Sequence, residues 1–229
     1  MPTIRAIGFD LDNTLFDHSA AAAKAVELLI EEKGWSYIGE NDLANEWKRV
    51  EDFFFSKYMV GSLTLIEHRH ARMREFLRST DAAGEPEPGE LFDEYLIYYR
   101  QCWVAYPDTY SALEELKAAG LRMAVLTNGQ QAQQEAKISA MGLNDFFEKV
   151  LAIGTVDAIK PDKKAFAHLC RVLESEPSEI LFVGDDLDID VRASIAAGLN
   201  GVWLNRHGLP IPKEILAHIE TLASIKEII

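Results

Sequence analysis

Three aspartates of this chain, Asp10, Asp12 and Asp185, each follow closely on a short run of apolar and β-branched residues. Such runs are typical of buried strands. Three carboxylates that meet at strand ends repel one another unless a cation lies between them, and oxygen ligands of this kind suit a hard divalent ion such as Mg²⁺. A single aspartate after a strand is more often a helix cap or a turn residue, so the prediction depends on all three converging.

Short apolar strands alternate with helices in the parts of the sequence that carry these aspartates. This alternation predicts an α/β fold with a doubly wound, Rossmann-like parallel core sheet of five strands. Ligands of such sheets bind outside the carboxyl ends of the strands, where polar segments should therefore converge. The predicted strands are 4–9, 122–126, 150–153, 180–183 and 201–204.

Between the first two strands the apolar residues follow helical spacing only. Four amphipathic stripes, which begin near residues 18, 43, 66 and 91, predict a four-helix bundle inserted into the core. The predicted domains are thus a catalytic core of residues 1–17 and 105–229 and a helical cap domain of residues 18–104, which would sit above the crevice.

Weaker signals lie in the other polar segments. Lys160 precedes a proline in a predicted loop and by itself reads as a solvated surface lysine. Thr127-Asn128-Gly129 is predicted to open a helix, and the free N–H groups of a helix start bind anions. A calcium loop that begins at Asp186 fails, because Val191 stands where glycine is required and Ala197 where the bidentate glutamate belongs.

Four motifs in order resemble those of the haloacid dehalogenase-like (HAD) hydrolase superfamily: Asp10-Leu11-Asp12-Asn13-Thr14, Thr127-Asn128-Gly129, Lys160-Pro161, and Gly184-Asp185 with Asp190. The insertion between the first two motifs resembles subfamily I, which carries a helical cap. The glutamine-rich helix after Thr127-Asn128-Gly129 is similar to that of the sialic-acid 9-phosphatase and house-cleaning nucleotidase branches.

The resemblance implies a role for each matched residue. Asp10 would be the nucleophile that forms an aspartyl-phosphate, and Asp12 would act as general acid and then general base. Asp10, the backbone carbonyl of Asp12, and Asp185 would hold Mg²⁺. Asp190 would orient Lys160 or a metal-bound water from behind these ligands. The phosphoryl oxygens would be bound by Thr127, Asn128 and Gly129, and Lys160 would neutralise their charge.

The resemblance thus predicts an enzyme, a Mg²⁺-dependent phosphatase that hydrolyses a small phosphomonoester metabolite. Asp12 favours ester hydrolysis over dehalogenation, since an alkoxide leaving group needs a proton and a halide does not. A sugar phosphomutase shares all the core residues and stays an alternative. A 2-haloacid dehalogenase is less favoured because of Asp12. A receiver-like signalling module is less favoured because receivers are about half this length.

The composition limits the classes of binding partner that are expected. In 229 residues there are 23 basic and 37 acidic side chains, a formal charge of −14, which disfavours nucleic acids and anionic membranes as partners. Without a signal-peptide pattern or an apolar run of about 20 residues, a cytoplasmic protein is expected. The sequence leaves its oligomeric state open, as a monomer or a homodimer. The predicted third cap helix is locally basic, and Arg69 or Arg72 is a candidate for binding a second anionic group of the substrate, although a solvated helix face is the commoner meaning of such a run.

Overall fold

The computed structural model describes residues 3–84 and 86–229. The chain divides into two compact units. One consists of Met1–Asp17 and Val104–Ile229, and the other, inserted into the first, consists of His18–Trp103.

The first unit is built on one parallel sheet of the strand order β3-β2-β1-β4-β5-β6, which confirms the α/β fold. The chain steps outward from β1 to β3 and then returns to place β4 beside β1. Since parallel crossovers are right-handed, this reversal puts helices on both faces of the sheet. The strands are β1 Ala6–Phe9, β2 Arg122–Gln130, β3 Val150–Ile153, β4 Ile180–Gly184, β5 Asn200–Leu204 and β6 His218–Ile219.

The prediction of five strands was wrong by one. The sixth strand, β6, has two residues that pair with Trp203 and Leu204 at the edge of the sheet. A strand of two residues shows no alternation of polar and apolar positions, so periodicity could not have revealed it.

The helices of this unit follow the strands in alternation. They are α5 Thr109–Ala118, α6 Gln131–Ala140, α7 Lys163–Leu173 and α8 Ala193–Ala196, with a π-helical segment at Leu187–Arg192 and 3-10 turns at Asn144–Phe146, Pro177–Glu179 and Leu222–Glu227.

The core of this unit lies where α7 packs on the sheet. Strand β1 is fully buried and pairs with β2 on one side and β4 on the other. A Cβ on Gly8 would lie 2.5 Å from Cδ2 of Leu169 and 2.7 Å from Cδ2 of Phe182. Glycine at this position therefore lets α7 approach the strand that carries Asp10.

The second unit is a four-helix bundle. Its helices are α1 His18–Lys33, α2 Leu43–Met59, α3 Leu65–Leu77 and α4 Pro88–Gln101. Helix α3 begins with a capping box, in which Thr64 and Glu67 bond each other's backbone N–H. Buried aromatic rings fill the core of the bundle. The centre of the Trp47 ring lies 5.1 Å from that of Phe76 and 4.8 Å from that of Tyr95. Within the described part of the chain, no helix is long and apolar enough to cross a membrane.

The two arginines singled out on α3 differ in environment. Arg72 is buried, lies 4.8 Å above the Trp47 ring and pairs with Glu51 at 2.7 Å. Its charge is thus already engaged inside the bundle. Arg69 is half-buried over Phe92 at 5.1 Å, and burial lowers the pKa of its guanidinium. That one of them binds a second anionic group stays a prediction.

Asp108 ties the end of the chain to the start of α5. Its carboxylate accepts hydrogen bonds from both terminal nitrogens of Arg206 at 2.9 and 3.0 Å, from the Thr221 hydroxyl and from the Leu222 N–H. Burial opposes its charge, but these donors hold the pKa of Asp108 below its usual value. A carboxylate with a depressed pKa adds stability above the unfolded pKa, and this contribution is lost as the pH falls through the folded pKa.

We expect Asp108→Asn to lower the free energy of unfolding by about 3 kcal/mol at pH 7, since it breaks a largely buried ion pair. Urea denaturation measures this difference, which should shrink below about pH 4 as the wild-type carboxylate is protonated. The control is Asp145→Asn, an exposed position expected to change stability by less than about 0.5 kcal/mol. An unchanged stability at pH 7, or an equal difference at pH 3, would contradict this account.

Candidate active site

The site forms at the point where the strand order reverses. Asp10 directly follows β1 and Asp185 directly follows β4, and these two strands are neighbours in the sheet. The Asp10 N–H still donates to the Val183 carbonyl at 2.9 Å, so Asp10 is anchored on β4. Carboxylate oxygens of Asp10, Asp185 and Asp190 lie within 4.8 Å of one another. The topology therefore brings together residues that are up to 180 positions apart in the chain.

Lys160 is part of this cluster and is not a surface lysine. Its side chain is 2% exposed, and its ammonium donates at 2.6 Å to Asp10 Oδ1 and at 2.6 Å to Asp190 Oδ1. The Asn128 side chain holds the backbone of Lys160, accepting from its N–H at 2.9 Å and donating to its carbonyl at 2.8 Å. Burial by itself would lower the pKa of the Lys160 ammonium, but Asp10 and Asp190 keep this pKa above its usual value. The lysine is thus charged and fixed at both its ends.

Asp190 reaches Lys160 from the π-helical segment. The turn before it is capped by Asp186, whose carboxylate accepts the N–H groups of Asp188 and Ile189, both at 2.8 Å. The second carboxylate oxygen of Asp190 accepts the Asp186 N–H at 3.1 Å. A Cβ on Gly184 would collide with the Asp190 carboxylate. Glycine at the end of β4 therefore leaves the space that Asp190 occupies.

The cluster contains three carboxyl groups and one ammonium group. Burial, together with Asp190 and Asp12, raises the pKa of Asp10 to about 7, although Lys160 opposes the rise. Burial, then Asp10 and Asp190, raise the pKa of Asp185 to about 8. One lysine does not compensate the three carboxylates when all are ionised, and a divalent cation bound by oxygen ligands would. The donor set thus fits such an ion.

Asp12 stands apart from these three carboxylates. Its Oδ1 accepts from Lys137 Nζ at 2.5 Å and its Oδ2 from Gln134 Nε2 at 2.9 Å. Neither donor was predicted from the sequence. No local signal marked them, because α6 is polar at more than half of its positions and only the fold shows that Gln134 and Lys137 lie on its buried face.

The prediction that Thr127-Asn128-Gly129 opens a helix was wrong. Strand β2 continues through these residues to Gln130, and α6 begins at Gln131. Thr127 is buried, and its hydroxyl oxygen accepts from Gly129 N–H at 3.3 Å and from Gln134 Nε2 at 2.8 Å. The segment reaches the site because it extends β2 past β1, and its role in substrate binding stays a prediction.

Comparison with known proteins places this arrangement in a family. The pattern of the haloacid dehalogenase-like hydrolases matches residues 4–198. The N-acylneuraminate-9-phosphatase of Mus musculus is 27% identical over 94% of this chain and 88% of its own length. The pyrimidine 5'-nucleotidase YjjG of Escherichia coli is 26% identical over 97% of this chain and 95% of its own. The structure of the putative HAD-hydrolase YfnB from Bacillus subtilis, bound to magnesium, is 24% identical, with a TM-score of 0.83, 99% of this chain and 98% of its own covered.

The fold and the site are those of an α/β protein whose candidate catalytic groups lie at the switch point of a parallel sheet. The chain belongs to the haloacid dehalogenase-like hydrolase family. The helical insert fits subfamily I of that family. The family predicted from the four motifs is thereby confirmed, and a phosphatase and a nucleotidase of the kinds that the glutamine-rich helix indicated are among the relatives.

Proposed function

We propose that this hydrolase is a Mg²⁺-dependent phosphomonoesterase that cleaves a small phosphorylated metabolite through an aspartyl-phosphate on Asp10. The observation that carries the proposal is the contact of Lys160 with both Asp10 and Asp190 inside a cluster of buried carboxylates. Such a cluster lowers the stability of a folded protein. Phosphoryl transfer is a reaction that uses a nucleophilic carboxylate, a lysine that neutralises charge and carboxylates that bind a metal ion. The names of the phosphatase and nucleotidase relatives support the same reaction class.

Asp10 is suited to be the nucleophile. Lys160 holds one oxygen of its carboxylate at 2.6 Å, which leaves the other oxygen to attack phosphorus. The ammonium also lies where negative charge builds up on the transferring phosphoryl group. Mg²⁺, held by Asp10, Asp185 and the Asp12 carbonyl, would supply charge neutralisation at the phosphoryl oxygens.

Asp12 is proposed to act as general acid towards the leaving-group oxygen and as general base towards the attacking water. It would give a proton to the leaving alkoxide and take one from the water that hydrolyses the aspartyl-phosphate. Its carboxylate is 28% exposed, whereas the side chain of Asp10 is 9% exposed, so the two carboxylates meet different surroundings. This role favours ester hydrolysis over the dehalogenase reading, in which the leaving halide needs no proton.

The phosphoryl oxygens are proposed to be bound by the Thr127 hydroxyl and the N–H groups of Asn128 and Gly129. The Thr127 side chain is buried between β2 and α6, where Gln134 donates to it. A hydroxyl that accepts this bond still has its own proton to donate to an oxyanion. The inserted four-helix unit is proposed to select the leaving group.

A sugar phosphomutase has the same core residues and is the second candidate. The two are separated by the fate of the phosphoryl group, which goes to water in a phosphatase and back to the substrate in a mutase. The test is a panel of sugar, sugar-acid and nucleoside monophosphates incubated with the enzyme and Mg²⁺, with inorganic phosphate and product isomers both measured. We expect stoichiometric phosphate release from at least one class. Isomerisation without phosphate release would overturn the phosphatase proposal.

A further inference from the structure

The buried face of α6 presents two donors to one carboxylate. Lys137 Nζ donates to Asp12 Oδ1 at 2.5 Å, and Gln134 Nε2 donates to Asp12 Oδ2 at 2.9 Å. Each oxygen of the carboxylate therefore has a donor of its own, and the two donors come from adjacent turns of one rigid element. A carboxylate held at both oxygens by a helix has little freedom to rotate.

Neither donor is explained by the stability of the fold. Lys137 is 2% exposed and Gln134 is fully buried, on a helix face where apolar residues would pack at lower cost. The Gln134 oxygen is buried and has no hydrogen-bond partner in the described part of the chain, which lowers the stability of the folded state. Its nitrogen, by contrast, contacts both Asp12 and Thr127. The Gln134 side chain is thus placed for its donors.

The surroundings keep the Lys137 ammonium in place. The Nζ atom lies 4.9 Å from the centre of the Phe16 ring, which attracts a cation through its π face. Phe16 belongs to the same segment as Asp12, and the two residues form a β-bridge. The lysine therefore contacts the turn that carries Asp12 at two points.

We propose that Lys137, assisted by Gln134, is a positioning residue that holds the Asp12 carboxylate in the orientation from which it serves the leaving group. The inference rests on the proposed phosphatase function and adds to it a pair of residues on α6. Gln134 further links this carboxylate to the Thr127 hydroxyl, so that the group proposed to bind phosphate and the group proposed to exchange the proton share one donor. A misplacement of about 1 Å at such a site can cost about 100-fold in rate.

The test compares two substrates that differ in their need for a proton. An alkyl phosphate releases an alkoxide that must be protonated, whereas p-nitrophenyl phosphate releases a phenolate that leaves without help. With enzyme in excess over substrate, a rapid-quench experiment measures alcohol or phenolate release in the first turnover. We expect Lys137→Met to slow the alkyl phosphate by about 100-fold and the aryl phosphate by less than about 5-fold.

Two further variants and a control complete the design. Lys137→Arg should recover the alkyl rate to within about 5-fold of wild type, since a guanidinium also donates to a carboxylate. Gln134→Leu removes the donor to Asp12 and also the donor to Thr127, so it should slow both substrates, the alkyl phosphate by about 10-fold more than the aryl phosphate. The control, Lys164→Met, removes an exposed lysine at the start of α7 and should match wild type.

Equal losses on both substrates, or no loss in Lys137→Met, would overturn the positioning role. If Lys137→Met does not fold, the same comparison in Lys137→Arg and Gln134→Leu decides, and equal alkyl and aryl losses in Gln134→Leu overturn it. The proposed function fails separately, when the wild-type enzyme releases phosphate from no ester. An active wild type with a uniform loss in the variants leaves the phosphatase intact and removes only the role of Lys137.

Discussion

Asp10→Asn should abolish phosphate release, with a fall in kcat of at least about 10⁴-fold. The asparagine side chain has the shape of aspartate and no charge, so it fills the same space and cannot attack phosphorus. Lys160 keeps its contact with Asp190 in this variant, which preserves the rest of the cluster. The measurement is inorganic phosphate release from the best substrate of the panel.

Thermal melting of the metal-free protein checks that the Asp10→Asn variant is folded. Because burial and neighbouring carboxylates raise the pKa of Asp10 to about 7, its ionised form is disfavoured in the folded protein without metal. At pH 8 the metal-free variant should therefore melt no lower than metal-free wild type. Asp145→Asn, an exposed position before β3, is the matched control and should keep full activity. Retention of turnover by Asp10→Asn would refute the aspartyl-phosphate mechanism.

Removal of divalent metal should abolish turnover reversibly. EDTA followed by desalting should give an inactive protein, and Mg²⁺ should restore the activity, since three clustered carboxylates supply the oxygen ligands that a divalent cation binds. The cation should also raise the melting temperature of wild type, because it binds the folded state alone. Asp185→Asn should lose most of this shift. Asp188→Asn, whose side chain is 80% exposed and pairs with Arg192, is its matched control.

The pH dependence of this metal effect has a definite sign. The raised pKa values of Asp10, about 7, and Asp185, about 8, mean that both groups hold protons near neutral pH in the metal-free protein. Each contributes stability that is present at low pH and lost as the pH rises through these values. A cation must displace the protons, so the Mg²⁺-induced rise in melting temperature should grow from pH 6 to pH 8. Full activity after EDTA treatment, or a larger shift at pH 6, would contradict the metal site.

Much of the site could be predicted from the sequence because its residues follow directly on strands. Asp10 and Asp185 are marked by the apolar runs before them, and parallel strands bring their carboxyl ends to one edge of the sheet. The helices of the insert show a period of 3.6 residues, which does not depend on distant contacts. Local patterns of this kind predicted the α/β fold and the four-helix insert.

Other features depend on contacts between distant segments. Thr127-Asn128-Gly129 lies within β2, where local turn chemistry predicted a helix start. The register of β2 against β3 shifts across these residues, and Gln130 pairs again with Ile153. The two-residue strand β6 exists only through its pairing with β5. Lys160 by itself read as a surface lysine, and only its contacts with Asp10 and Asp190 make it a buried one.

The sequence by itself determined the fold class and the family, since both leave a local pattern of apolar runs and motifs, and it singled out the aspartates as candidates. Only the tertiary structure decided which donors each carboxylate meets. Lys137 is 125 positions from Asp12, and Lys160 is 150 positions from Asp10. Pairings over such separations depend on where the sheet sets α6 and the loop after β3, and no spacing along the chain encodes them.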